Sequence, residues 1–209
     1  MISEDANFSN SQITSLGNLR HIGGSVDFSE SKITSLNKLE SIGFDVSFFA
    51  TEIIDLGNLK SIGGTAKFID SKIKSLGKLE NIGESADFTN SEVTDLGELQ
   101  NIGGWAIFKN AKVTNLGKLQ EIGLGAIFDE SNIQSLGQLK SIGGDVRFSN
   151  SQITDLGELK YIGGRVIATD SNLTYKDFSN VEIQGSFTGD NNVPLYISKR
   201  KNFKSEEYM

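Results

Sequence analysis

A segment of twenty residues recurs along this chain without insertion or deletion. The first copy runs from Phe8 to Asp27, and further copies begin at every twentieth residue as far as Phe148. A degraded ninth copy begins at Ala168. A fixed period of about 20 to 50 residues is typical of a solenoid, in which each repeat forms one rung and contacts only its neighbours. The sequence therefore predicts one body of stacked rungs.

Six positions in each repeat are apolar in almost every copy, and they predict the core. Across the end of the first copy and the second copy they are Val26, Phe28, Ile33, Leu36, Leu39 and Ile42. The alternation of Val26 and Phe28 predicts a strand with one buried face. The other four are spaced by three residues, which predicts extended or 3₁₀-like returns instead of a strand. The fold class expected is mainly β: a right-handed parallel β-solenoid of eight to nine 20-residue leucine-rich-type rungs with little or no helix.

Glycine and serine also recur at fixed positions. Glycines follow the first leucine (Gly17 and its equivalents) and the second isoleucine (Gly23 and its equivalents), and they predict corners that need a positive φ or a close backbone approach. Asn37 replaces one of the first set, as expected where the chain is left-handed. The column of Ser31 and its equivalents follows the strand, and we expect its hydroxyls to satisfy backbone groups of the turn.

The segment Val26-x-Phe28-x-x-Ser31-x-Ile33-x-x-Leu36 resembles the leucine-rich repeat segment Leu-x-Leu-x-x-Asn-x-Leu-x-x-Leu. Its short period is similar to that of bacterial leucine-rich repeats. The part Leu-Gly-x-Leu-x-x-Ile-Gly-Gly is similar to the repeats of receptor L domains and bacterial surface proteins. The chain departs from the family in using Ser for Asn and in lacking the Pro pairs of the bacterial effectors. The resemblance implies a parallel sheet on one face, a protein-binding role, and no catalysis by the repeats.

The ends of the chain depart from the repeat. We expect residues 1–7 to form an N-terminal cap or edge, residues 8–170 the solenoid, and residues 171–209 a C-terminal cap and a charged tail. Within the last segment, the pattern predicts a strand over 181–187, a turn over 188–194, a short strand over 195–197 and a solvated tail from residue 198 onward.

Composition limits the classes of ligand. The net charge of −7 argues against non-specific binding to nucleic acid or to an anionic membrane. The absence of cysteine excludes a disulfide framework and a thiolate metal site, and no metal or cofactor is expected. Neither a signal peptide nor an apolar run of about 20 residues is visible, which predicts a cytoplasmic protein, or one delivered or secreted without a visible signal.

Function is expected where the copies differ, on the outward positions of the strands. The candidate protein interface consists of Trp105, Ile107, Ile127, Phe49, Ile69, Arg147, Lys109 and Ile167. An exposed Trp beside Ile with Arg nearby has the composition of an interface hot spot. The prediction is a non-catalytic scaffold, an effector, surface, or phage or bacterial interaction module, that binds a protein partner. Two alternatives for these residues are self-association, through a solenoid end or the sheet face, and cover by the C-terminal segment.

A second class of function is a β-solenoid carbohydrate-active enzyme or a carbohydrate-binding adhesin. An enzyme requires converging carboxylates or a cluster of His and Arg. The chain has one histidine, His21, beside Arg20, and the aspartates of the strand region are scattered along the rungs. We therefore predict no catalytic residues.

Overall fold

The structure, a computed structural model, describes residues 1–189 and the backbone of residues 195–196. The chain winds as a parallel β-solenoid of about nine turns spaced about twenty residues apart, with almost no helix. The predicted fold class is confirmed at this level. The reason is local and repeated: each copy places its apolar residues inward, and neither face of a rung is buried until the next rung stacks on it.

The strands are short and come in pairs. In chain order they are β1 (Ala6–Asn7), β2 (His21–Ile22), β3 (Val26–Asp27), β4 (Ser41–Ile42), β5 (Val46–Ser47), β6 (Ser61–Ile62), β7 (Ala66–Lys67), β8 (Asn81–Ile82), β9 (Ala86–Asp87), β10 (Asn101–Ile102), β11 (Ala106–Ile107), β12 (Glu121–Ile122), β13 (Ala126–Ile127), β14 (Ser141–Ile142), β15 (Val146–Arg147), β16 (Tyr161–Ile162), β17 (Val166–Ile167), β18 (Glu182–Ile183), β19 (Ser186–Thr188) and β20 (Leu195–Tyr196). A 3₁₀ turn, Tyr175–Phe178, precedes β18.

Two sheets form two sides of the solenoid. Among the described residues, the first sheet has 11 strands, the odd-numbered ones from β1 to β19 followed by β20, and the second sheet has nine, the even-numbered ones from β2 to β18. Neighbours pair in parallel with an offset of twenty residues, as Val26 does with Val46. The offset becomes 21 at the end, where Val166 pairs with Phe187. The 3₁₀ turn lies in the segment that contains this additional residue.

The second sheet was not predicted. The spacing by three residues led us to expect extended or 3₁₀-like returns instead of a strand, but the column of Ile22 and its equivalents forms strands that pair rung to rung. The exclusion of a strand was wrong because each strand is only two residues long, too short to show the alternation that marks a strand. The third side, by contrast, carries only isolated bridges, such as Ser75 with Asp95, among the described residues.

A column of stacked phenylalanines runs through the core. The seven consecutive ring pairs from Phe8 to Phe148 have centroids 4.8 to 5.6 Å apart and planes within 15° of parallel. At the C-terminal end Phe178 tilts over Phe148 at 6.0 Å, and Phe187 contacts Phe178 at 5.5 Å. These two rings cover the last rung of the stack.

The N-terminal residues continue both sides of the solenoid. Ile2 pairs with Ile22, and Ala6 pairs with Val26, so residues 2–7 repeat the second half of a rung. Ile13, in the first full copy, remains 41% exposed, whereas Ile33 in the next copy is fully buried. The first copy therefore has a less complete core than those that follow.

The turn after each phenylalanine uses a left-handed residue that the sequence analysis did not identify. Nine non-glycine residues there have φ between 50° and 57°: Asn10, Glu30, Ala50, Asp70, Asn90, Asn110, Glu130, Asn150 and Asp170. Asn and Asp accept this conformation more readily than other residues with a Cβ. The frequency of Asn and Asp at this position of the repeat is the sequence feature that could have predicted the left-handed conformation.

The serine column lies in the same turn, and its predicted role is only partly right. The hydroxyls of Thr51 and Ser171 donate to the carbonyl oxygens of Phe48 and Ala168, at 3.2 and 3.0 Å. Six others are buried without a hydrogen-bond partner among the described residues: Ser11, Ser31, Ser71, Ser91, Ser131 and Ser151. Small size explains the serine column better than hydrogen bonding does, because Ala111 occupies the same position fully buried.

Candidate functional site

The outer face of the first sheet is formed by three outward positions on each rung. They are the residue before the strand, the second residue of the strand, and the residue after the buried phenylalanine; in β3 these are Ser25, Asp27 and Ser29. Between them Val26 and Phe28 point into the core and are buried. The side chains that differ from rung to rung are therefore displayed on one surface.

Trp105, Ile107 and Ile127 come together on this face, as predicted. Ile107 and Ile127 are directly paired in β11 and β13, and Trp105 precedes β11 and is 37% exposed. The six-membered ring of Trp105 lies over Gly125 of the next rung, where a Cβ atom would come within 2.5 Å of Cη2. Gly125 thus leaves room for the ring to lie on the backbone. We call Trp105, Ile107 and Ile127 the apolar patch.

Two exposed apolar residues at corner positions were missed. Leu124, which precedes Gly125 at the border of the apolar patch, is 51% exposed, and Phe44 is 62% exposed. Both occupy a corner position that is glycine in other rungs, such as Gly64 and Gly104. That departure from the repeat was visible in the sequence but lay outside the positions expected to face outward.

The structure separates Phe49 and Ile69 from the apolar patch. These two residues are neighbours in consecutive rungs, and each comes directly after a buried phenylalanine, at one edge of the face. Trp105 comes directly before its strand, at the opposite edge. Ile69 is two rungs from β11, roughly 10 Å along the solenoid at about 4.8 Å per rung, with Thr89 between them. The candidate interface of the sequence analysis is therefore two apolar clusters.

The cationic candidates are held by carboxylates. Arg147 lies between Ile127 and Ile167 in the central column of the face, and its Nε and Nη2 each lie 2.7 Å from Oδ2 of Asp129. Lys109 Nζ is 3.5 Å from Oε1 of Glu130. Asp129 is only 8% exposed, and its Oδ1 accepts the backbone N–H of Ser149 at 2.9 Å. Arg147 is therefore held in a fixed position, and Ile167 is separated from the apolar patch.

Aspartates on the face cap backbone groups. Oδ1 of Asp27 accepts the N–H of Ser29, Oδ1 of Asp87 accepts that of Thr89, and Oδ1 of Asp145 accepts that of Arg165 in the next rung, at 2.7 to 2.9 Å. The hydrogen bonds from the Arg165 guanidinium, and then the backbone bond, hold the pKa of Asp145 below its usual range. These carboxylates have structural roles and lie on separate rungs.

A shallow depression of about 360 Å³ lies on the N-terminal half of the same face. Its lining includes Asp5, Asn7, Asp27, Ser47 and Lys67. No group of three His, Cys, Asp or Glu residues suited to a metal ion occurs within residues 1–189.

The fold defines the class of the chain as a parallel β-solenoid. No family model, no curated protein and no solved structure matches it. The likeness to leucine-rich repeats therefore stays a prediction from the repeat pattern. In the described part of the chain, no helix has the length and apolar character needed to cross a membrane.

Proposed function

We propose that this chain is a non-catalytic repeat scaffold that binds another protein through the outer face of the first sheet. The observation that carries the proposal is the arrangement of the apolar patch. Trp105 is partly exposed while its ring lies over Gly125, and Ile107 and Ile127 are paired beside it. Tryptophan supplies a large rigid surface, and tryptophan and arginine are enriched among the residues that dominate binding energy.

Preorganisation supports this role. The Trp105 ring is already placed on the next rung, and Arg147 is already held by two contacts to Asp129. A side chain ordered before binding avoids most of the roughly 0.5–1.5 kcal/mol that immobilising it would cost. A rigid sheet with ordered aromatic and guanidinium groups is suited to recognition of a protein surface.

The carboxylates support a scaffold over an enzyme. A general acid–base pair needs two carboxyl groups that converge on one substrate atom. On this face Asp27, Asp87 and Asp145 belong to different rungs, and each accepts a backbone N–H that closes a turn or links two rungs. Their positions are accounted for by the architecture.

Affinity capture with matched variants tests the proposal. We expect Trp105→Ala combined with Ile107→Asp to abolish capture of the partner by the immobilised chain while its circular dichroism and urea midpoint indicate a folded solenoid. Ile54→Asp is the control, because Ile54 is 55% exposed but lies on the third side. Equal capture by the double variant and the unmodified chain would exclude the outer face as the binding surface.

A further inference from the structure

We infer that the occupant of the outer face is a second copy of this chain, docked antiparallel about a two-fold axis that passes between β11 and β13. The inference rests on the proposed function only in using the same face. A two-fold interface is self-complementary: if one residue faces another across it, the reverse contact also forms. The side chains of the face meet this requirement when the axis lies between β11 and β13.

The centre of that placement is apolar. An axis parallel to the strands and midway between β11 and β13 sets β11 of each copy opposite β13 of the other. Ile107 then faces Ile127, and because the Trp105 ring of each copy lies over its own Gly125, the two Trp105 rings face each other across the axis. Two apolar patches bury one another, which is the composition expected at the core of an interface.

The next pairs of positions are complementary in charge. The same axis sets β9 opposite β15, so that Asp87 faces Arg147 of the second copy. After the phenylalanine column, Lys109 faces Asp129 of the second copy. Because Arg147 already contacts Asp129, these groups form a row of alternating sign across the interface. Opposite charges at facing positions fix orientation and register.

The outermost rungs fit the same operation. β7 faces β17, which sets Lys67 opposite Ile167, and β5 faces β19, which sets Ser47 opposite Thr188. Like charges face one another at no outward position of these eight strands. With three outward positions on each strand, about 24 residues of each copy are engaged, within the 20–30 per side of a standard stable interface.

Two other placements fail on charge, and a third lacks complementary pairs. An axis along the solenoid makes each central residue face itself, so Lys67, Asp87 and Arg147 each meet a like charge. An antiparallel axis centred on β11 sets Lys67 opposite Arg147 and Asp87 opposite Ile127. Like charges that face each other across an interface disfavour association. An antiparallel axis between β13 and β15 avoids like charges, but it sets Ile127 opposite Arg147 and forms no pair of opposite charges. The apolar and the charged positions together therefore favour the axis between β11 and β13.

Sedimentation equilibrium of the purified chain is the first test. We expect a mass of twice 22.7 kDa for the unmodified chain. Ile127→Asp should yield monomer, and Ile54→Asp should leave the dimer intact. Asp87→Lys should weaken the dimer at least tenfold, because it then faces Arg147. Its control is Asp95→Lys, which loses an equivalent turn hydrogen bond to Gly97 but lies on the third side of the solenoid and should leave the dimer unchanged.

Cross-linking tests the orientation. The chain has no cysteine, so Lys67→Cys and Ile167→Cys each introduce a single thiol. A bismaleimide that spans roughly 10 Å, the usual spacing of stacked sheets, should link a mixture of the two variants. Neither variant alone should cross-link, because the two identical thiols of a dimer of either variant would lie five rungs, roughly 24 Å, apart along the solenoid at about 4.8 Å per rung.

The outcomes separate this inference from the proposed function. A monomeric unmodified chain, or cross-linking of Lys67→Cys with itself, overturns the antiparallel dimer. If capture of a different protein then still depends on Trp105 and Ile107, the scaffold function stands with another partner. A dimer that Ile127→Asp leaves intact overturns the use of this face for self-association, and the capture experiment decides the proposed function independently.

Discussion

Two corners of the same rung, at Gly103 and Gly117, require glycine for different reasons. Gly103 does not have a positive φ, but a Cβ atom there would lie 2.9 Å from the carbonyl carbon of Gly83 in the preceding rung and closer still to its oxygen. Gly117 has a φ of +57°, and a Cβ atom there would meet nothing within 4 Å. One corner needs glycine for space between rungs, and the other needs it for conformation within a rung.

The difference explains which corner accepts another residue. Asn37 stands in the second column with a φ of 53°, because asparagine tolerates the left-handed region. The column of Gly103 is glycine in all eight repeats, although Gly103 itself is exposed. Exposure is therefore a poor guide to tolerance here, since the obstacle is backbone of the neighbouring rung, which has no side chain to move.

The largest effect is expected for Gly103→Ala. The new methyl group must separate two rungs whose backbones are already in contact, so we expect a loss of about 3 kcal/mol or more in the free energy of unfolding, at the upper end for overpacking. Urea denaturation followed by far-UV circular dichroism measures it. A loss no larger than that of Gly117→Ala would remove the distinction between the two corners.

Gly117→Ala should cost less. The methyl group enters open space, and the penalty is that of a left-handed residue with a Cβ, about 1–2 kcal/mol. Gly117→Asn should cost less than the alanine variant, as the natural Asn37 indicates. Equal urea midpoints for the alanine and asparagine variants would show that conformation is not the requirement at this corner.

The turn after the phenylalanine allows the reverse substitution, in which glycine replaces a left-handed residue that has a Cβ atom. Ala50 is left-handed, with a φ of 51°. Ala50→Gly should stabilise the protein by about 0.5–1 kcal/mol, because the relief of the left-handed penalty exceeds the entropy cost of glycine. Ala111→Gly is the control: Ala111 is fully buried and lacks a positive φ, so that variant should lose stability. A higher melting temperature for Ala50→Gly alone supports this explanation.

The buried hydroxyls of that turn should contribute little. Ser91→Ala removes an Oγ without a partner in the described structure, and Ala111 already fills the equivalent site. We expect a change of less than about 1 kcal/mol, towards greater stability. Thr51→Val removes a hydroxyl that donates to Phe48 and should cost about 1 kcal/mol. Urea denaturation measures both changes, and a larger loss of unfolding free energy for Ser91→Ala than for Thr51→Val would contradict this explanation.

The smallest effect concerns the pH dependence of the corner beside Arg165. The lowered pKa of Asp145 means that its ionised form stabilises the folded chain above the unfolded pKa, about 3.9. That contribution is lost as the pH falls below about 4 through the folded pKa. Asp145→Asn should therefore reduce the difference in stability between pH 7 and pH 3. An unchanged difference in urea titrations at the two pH values would contradict the assignment.

Much of the fold was predictable because it repeats. The columns led by Phe28, Leu36 and Leu39 were identified as core, and these residues are buried to 1% exposure or less. The short strand Leu195–Tyr196 falls within its predicted range, whereas the predicted strand over 181–187 is two strands, Glu182–Ile183 and Ser186–Thr188. The predicted turn begins inside β19 at Thr188, and residues 190–194 and the tail lie outside the described residues.

The candidate site was predictable in part. Trp105, Ile107 and Ile127 share a face because outward positions follow from the strand period, which the sequence shows. The contact between Trp105 and Gly125 joins residues twenty positions apart and depends on the direction of the ring. Leu124 was missed because its corner position lies outside the expected strand.

The sequence by itself determined the rung: its length of twenty residues, its inward columns and its corners. These follow from periodic burial and from the special conformations of glycine and asparagine, which are local properties. Only the tertiary structure decided that the column of Ile22 forms a second sheet, that Gly103 is needed for space between rungs, and that Arg147 is held by Asp129. Each depends on how one rung lies on the next, and stacking is a contact between distant residues that no single copy of the repeat encodes.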